Sequence, residues 1–149
     1  MALKADRIEA LSDISFFMNT VAERGGVVSV VTAGSGVSMD DANAVVSYAA
    51  TVSGSKPLGI LLNDVVNYDL TRQHINWHKD EVQVGGKVAL LRQGQVTTNM
   101  VAGTPSAGSD AYVGVSGLVG TSSTNSVKIG QFLSSKDADG YVKLSVNIT

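Results

Sequence analysis

The stretch Gly130-Gln131-Phe132-Leu133-Ser134-Ser135-Lys136-Asp137-Ala138-Asp139-Gly140-Tyr141-Val142-Lys143-Leu144-Ser145-Val146-Asn147-Ile148 decides the fold. It holds two β-runs joined by a polar Asp-Gly corner, the pattern of a hairpin. Only Thr149 follows the second run, so that run is expected to close a sheet. On this reading the whole chain is organised around β-pairing rather than around a catalytic cleft.

Composition agrees. Valine is heavily used, glycine reaches 16 residues, and only Pro57 and Pro105 break the chain. Such Val-rich, Gly-punctuated sequence favours strands over helices. A chain of 149 residues forms one domain, long enough to bury roughly 70% of its unfolded surface. Its 44% apolar and 16% charged residues are those of a globular protein. The net charge of −2 is dispersed and no basic stripe occurs, which argues against nucleic-acid binding. The longest apolar runs, such as Leu58–Leu62, fall far short of the roughly 20 residues of a spanning helix. Lys4, Asp6, Arg7 and Glu9 precede any apolar block, unlike a secretory signal. With no cysteine there are no disulfides, zinc–thiolate sites or thiol nucleophiles. Synthesis in a cytosol and stability from packing alone are expected.

Moving outward from the tail, strands are expected at 127–133, 111–115 and 95–101. Val82–Val84 and Lys87–Leu91 flank Gly85-Gly86, a hairpin turn or bulge. Val45–Val52 and Leu58–Val66 read as strands turned by Gly54–Pro57, and Ser38–Val45 as a short capped helical turn. Near the start, Ile8, Leu11, Ile14 and Phe17 lie at three-residue steps, one face of a helix. The β-formers of Ile14–Val21, followed by Gly25-Gly26 and Val27–Val31, read instead as a hairpin. The expected architecture is mainly β. It is a single-domain antiparallel β-barrel or jelly-roll-like sandwich over 14–149, with an N-terminal arm or short helix over 1–13 and at most one or two short helices.

Candidate chemistry is sparse. His74 and His78 are four apart, a spacing that on a helix aims two imidazoles at one metal, but no third ligand is fixed by any motif. Asp137-Ala138-Asp139-Gly140 has part of a calcium-loop pattern, yet Val146 stands where the bidentate Glu belongs. The Gly-rich stretches 34–36, 103–108 and 114–117 match neither a phosphate cradle nor a nucleophile elbow and read as turns. No metal or other cofactor and no catalytic residue is assigned. The long polar connection Asn67–Glu81 holds Arg72, His74, Trp77 and His78, the composition of an interface core. Phe16 and Phe17 are read as core strand, with a contact arm as the alternative.

Lys56-Pro57-Leu58-Gly59-Ile60-Leu61-Leu62-Asn63-Asp64-Val65-Val66 and Trp77-His78-Lys79-Asp80-Glu81-Val82-Gln83-Val84-Gly85-Gly86-Lys87-Val88, with Ile129–Leu133 and Asp139–Leu144, resemble the capsid decoration (cement) proteins of tailed bacteriophages over about residues 56–149. The resemblance implies a β-rich module on the outer surface of the expanded phage head, clamping neighbouring major capsid subunits. It also implies a homo-oligomer, a trimer ahead of a dimer, with the major capsid protein as partner and no catalytic residue. Contact residues are then expected among Phe16, Phe17, Arg72, His74, Trp77 and His78. Two other readings stand beside it: a fibre- or adhesin-like virion domain binding a host glycan, and a small hydrolase using His74 or His78.

Overall fold

The computed structural model describes residues 1–33, 44–67 and 81–148. Its strands are β1 (Ile8–Met18), β2 (Val27–Ala33), β3 (Ala44–Ser47), β4 (Pro57–Leu61), β5 (Asp64–Val66), β6 (Glu81–Gln83), β7 (Lys87–Thr98), β8 (Asp110–Val113), β9 (Val119–Gly120), β10 (Lys128–Phe132) and β11 (Val142–Asn147). A single 3-10 turn at Val115–Gly117 is the helical element among the described residues. The mainly β expectation holds.

Nine strands form one sheet in the order β1-β3-β2-β4-β7-β11-β10-β8-β9, and a further β1–β7 pairing closes the first five into a ring. The long strand β7 makes this possible. One edge pairs antiparallel with β1 from Lys87 to Gln95. The other pairs with β4 at Leu90 and Leu91 and then with β11 from Gln93 to Thr98. Beyond its end, Val101 bridges Val119 of β9, returning the second branch to the chain that leaves β7. Strands β5 and β6 form a separate parallel pair.

The continuous apolar runs follow from burial on both faces. Val28, Leu61 and Leu90 join Met18, Val46 and Val88 in the core inside the ring. Their neighbours Val27, Ile60 and Leu91 face the other way, into a second core with Ile129, Phe132, Val142, Leu144 and Val146. The shared wall therefore has no solvent side, and alternation is lost there.

The tail hairpin is as expected, with Gly130 opposite Val146 and Phe132 opposite Leu144. Its corner is held by the Asp137 carboxylate, which accepts the amides of Asp139 and Tyr141 at 2.9 and 2.8 Å. Four local expectations are corrected. Ile8–Phe17 is not a helix face but lies within β1, where Ala10 is the extra residue of a bulge. Ile8 and Leu11 consequently pair with Gln95 and Gln93, two apart on β7, so a three-residue step keeps one strand face. β1 and β2 do not form a hairpin, because β3 inserts between them, parallel to β1 and antiparallel to β2. β6 and β7 are likewise not ladder partners, since β6 pairs with β5. Val45, the end of the expected helical turn, belongs to β3, and residues 38–43 lie outside the described residues.

Gly94 permits the closure. With φ at +148°, a Cβ there would lie 2.0 Å from the Ile8 carbonyl oxygen. Gly94→Ala is expected to force β1 off β7 and cost about 2–3 kcal/mol, read as a fall in the urea midpoint. An unchanged midpoint would show that the β1–β7 seam is not closely fitted.

A half-buried tyrosine fastens the two halves. The Tyr48 hydroxyl donates to the Glu23 carbonyl and accepts the Gly26 amide at 3.2 Å. Its ring sits over Gly117 of the 3-10 turn, where a Cβ would meet it at 2.5 Å. Loss of water around the hydroxyl pushes its pKa above the ordinary value, reinforced by Asp64 and Glu23 and opposed by the Gly26 hydrogen bond. The folded state therefore holds a proton that an unfolded tyrosine releases at about pH 10, so this stability is complete below that pH and falls as pH rises beyond it. Tyr48→Phe is expected to cost about 1–3 kcal/mol at neutral pH, by stranding one carbonyl and one amide. The same change flattens the decline in stability above about pH 10. An equal decline in both proteins would contradict the assignment.

Candidate functional site

The largest departure from ordinary burial is on β1. Ile8, Leu11 and Ile14 are 59%, 49% and 65% exposed. Clustered exposed apolar side chains on one element mark a contact surface more than isolated ones do. β1 meets β3 only at Phe17 and Met18, so among the described residues nothing pairs with the outer edge of Ile8–Ser15.

The strand forms here because Ile8, Leu11, Ile14, Phe16 and Phe17 are β-formers and β7 supplies a long template. Register links Ile8 to Gln95, Gln95 to Ser145, Ser145 to Gln131, and Gln131 to Asp110. A second row joins Leu11, Gln93 and Asn147. Ile8 and Leu11 thus stand at the margin of a polar sheet face.

The edge also carries the devices that keep an open strand from indiscriminate pairing. Register breaks occur between Glu9 and Leu11, Leu11 and Ser12, and Asp13 and Phe16. Arg7 Nε lies 2.6 Å from Glu9 Oε1. Asp13 Oδ1 accepts the Ser15 amide at 2.7 Å, occupying one backbone donor. The ladder is interrupted, and among the described residues nothing pairs with its outer edge.

Of the residues singled out from sequence, Phe16 packs against the core inside the ring. Phe17 is half-buried, with Lys87 Nζ 5.8 Å from its ring centroid. Arg72, His74, Trp77 and His78 lie outside the described residues. Ile8, Leu11 and Ile14 were visible as a three-residue repeat, but a helical reading hides their exposure.

Elsewhere the surface offers little chemistry. A cavity of about 250 Å³ is lined by Val52, Val113, Gly114, Thr121, Ser122 and Thr124 among others, with no ionisable side chain in its lining. Among the described residues, no three His, Asp or Glu side chains gather as a metal site would require. No described helix is long and apolar enough to cross a membrane. Lys128 and Asp110 form an exposed ion pair at 2.9 Å, and that hydrogen bond raises the lysine's pKa.

The described residues define a mainly β, sheet-rich single domain with exposed apolar side chains clustered on β1. The comparison with protein families makes this specific: residues 9–146 match the model of the XM1 gp53 minor capsid protein. The chain belongs to that family, and is a structural protein of the phage virion associated with its capsid. A structural capsid family points to a non-enzymatic role. No curated protein matches the chain.

Proposed function

We propose that the protein is a decoration component of the phage head. It binds the outer surface of the expanded shell and clamps neighbouring major capsid subunits, acting as a homotrimer, with a dimer as the alternative. The observation that carries this reading is the exposure of Ile8, Leu11 and Ile14 together on β1, whose outer edge has no ladder partner among the described residues. A surface that binds only the expanded lattice stabilises that lattice by mass action. Many copies make modest individual contacts add up over a shell.

Phe16, Phe17, Arg72, His74, Trp77 and His78 are proposed to take part in shell or intersubunit contact. Trp77→Ala is expected to weaken assembly by about 2 kcal/mol or more while the isolated fold survives. Unfolding of the variant would make Trp77 a core residue instead. The role itself is tested by heating expanded heads stripped of the protein, with and without its re-addition. A rise in rupture temperature that saturates with added protein is expected; no rise would contradict the clamp.

A further inference from the structure

Strands β2 and β3 floor a second cavity, on the outer side of the ring. Val28 and Val46 pack in the core inside the ring. Side chains alternate along a strand, so the next residues, Ser29 and Ser47, face outward, and register sets them directly opposite each other. Residues of the connection 49–55 form the rest of the wall, around a space of about 310 Å³. That connection is tied down at both ends. The Ser116 amide donates to the Ala49 carbonyl at 2.7 Å, and the Val30 amide to the Lys56 carbonyl at 3.0 Å. The Ser55 amide and hydroxyl both donate to the Val52 carbonyl, at 3.2 and 2.8 Å.

Two features of the lining point to a ligand. Its polar side chains are all hydroxyls, those of Ser29, Ser47, Thr51, Ser53 and Ser55, and among the described residues none is ionisable. Ser29 is only 3% exposed, and among the described residues its hydroxyl has no hydrogen-bond partner. A buried hydroxyl in that state carries its full desolvation penalty. No hydrogen bond holds it in its present rotamer, and turning toward the cavity gives it a partner in whatever fills the space.

We infer that this cavity binds one ring of a neutral sugar, free or at the end of a surface glycan. A hydroxyl both donates and accepts, as does each hydroxyl of a sugar, so contacts on several walls are matched at once. Val31, 55% exposed, and Ala50 offer apolar contact to the C–H face of the ring. A charged ligand would lose its hydration without a counter-charge in the described lining. The volume is at the lower end of the range for ligand sites, roughly 300–1,000 Å³, which suits one ring rather than a chain of them. Sugar binding here is independent of the shell contact proposed on β1.

The test titrates the full isotope-labelled chain with methyl glycosides of glucose, galactose, mannose and N-acetylglucosamine, followed by amide NMR shifts. Saturable shifts confined to the strands and connection around the cavity, at millimolar affinity, are expected. Ser29→Ala is expected to weaken that binding at least tenfold, with the urea midpoint unchanged or raised, because the lost hydroxyl had no partner. Ser53→Ala, on the exposed connection, is expected to weaken it at least threefold without touching the strands. Retention of the wild type, but not of Ser29→Ala, on immobilised host-surface polysaccharide would assign the ring to a glycan. Shifts with the glycosides alone would assign a free sugar. No saturable shift with any glycoside, or shifts elsewhere on the chain, would overturn the inference. Equal shifts with acetamide would overturn it in favour of a protein side-chain amide. Binding unchanged in Ser29→Ala, with a lowered urea midpoint, would overturn it by making the hydroxyl a structural group.

Discussion

Replacing Phe132 by alanine is expected to destabilise the protein by about 3–5 kcal/mol, the range for deleting a buried aromatic ring. Phe132 is fully buried and is the largest such side chain in the second core. Its backbone is held as firmly as its ring: its amide donates to Ser109 and its carbonyl accepts from Gly108, at 2.8 and 2.7 Å. Removing the ring leaves a cavity whose cost adds to the lost burial. Single domains are stable by only about 5–15 kcal/mol. The variant should therefore stand near the limit of folding at growth temperature. Urea unfolding checks this: the midpoint should fall with the slope unchanged. A loss below about 1 kcal/mol would mean that the β10–β11 branch folds without this packing.

The second large effect is on binding, with folding nearly spared. Ile8→Ser, Leu11→Ser and Ile14→Ser combined alter side chains that are each about half exposed or more, so the folded state loses little. On the proposed shell the same side chains leave water, at about 1 kcal/mol each for the area still available to bury. Three such terms correspond to a loss of affinity of roughly 100-fold. Titration of expanded heads with the triple variant measures it, with a melting curve to verify the fold. Affinity within about threefold of wild type would place the contact on another surface.

The tail hairpin was legible because its determinants are local. Asp137 caps its own corner, and the two β-runs on either side are direct neighbours in the sheet. The pairing of β1 was not legible, because its partners β3 and β7 are remote in sequence. The Gly25-Gly26 corner gave a sound turn but the wrong neighbour, as β3 occupies the space between β1 and β2. Three-residue spacing from Ile8 to Leu11 misled for a physical reason: a bulge at Ala10 restores to a strand the face that periodicity assigns to a helix. The runs Val27–Val28 and Ile60–Leu62 carried the opposite lesson. Their lack of alternation marked a wall buried on both sides, visible only once the two cores are in place. The proposed contact surface was half legible: Ile8, Leu11 and Ile14 stood out by their spacing, but their exposure depends on how β1 is paired in the fold.

Co-sedimentation of the purified protein with unexpanded and expanded heads of its parent phage tests the central claim most directly. Saturable binding to expanded heads alone, with a fixed copy number per shell, is the predicted result. Binding to neither form, or equally to both, would contradict a protein that acts by clamping the mature lattice.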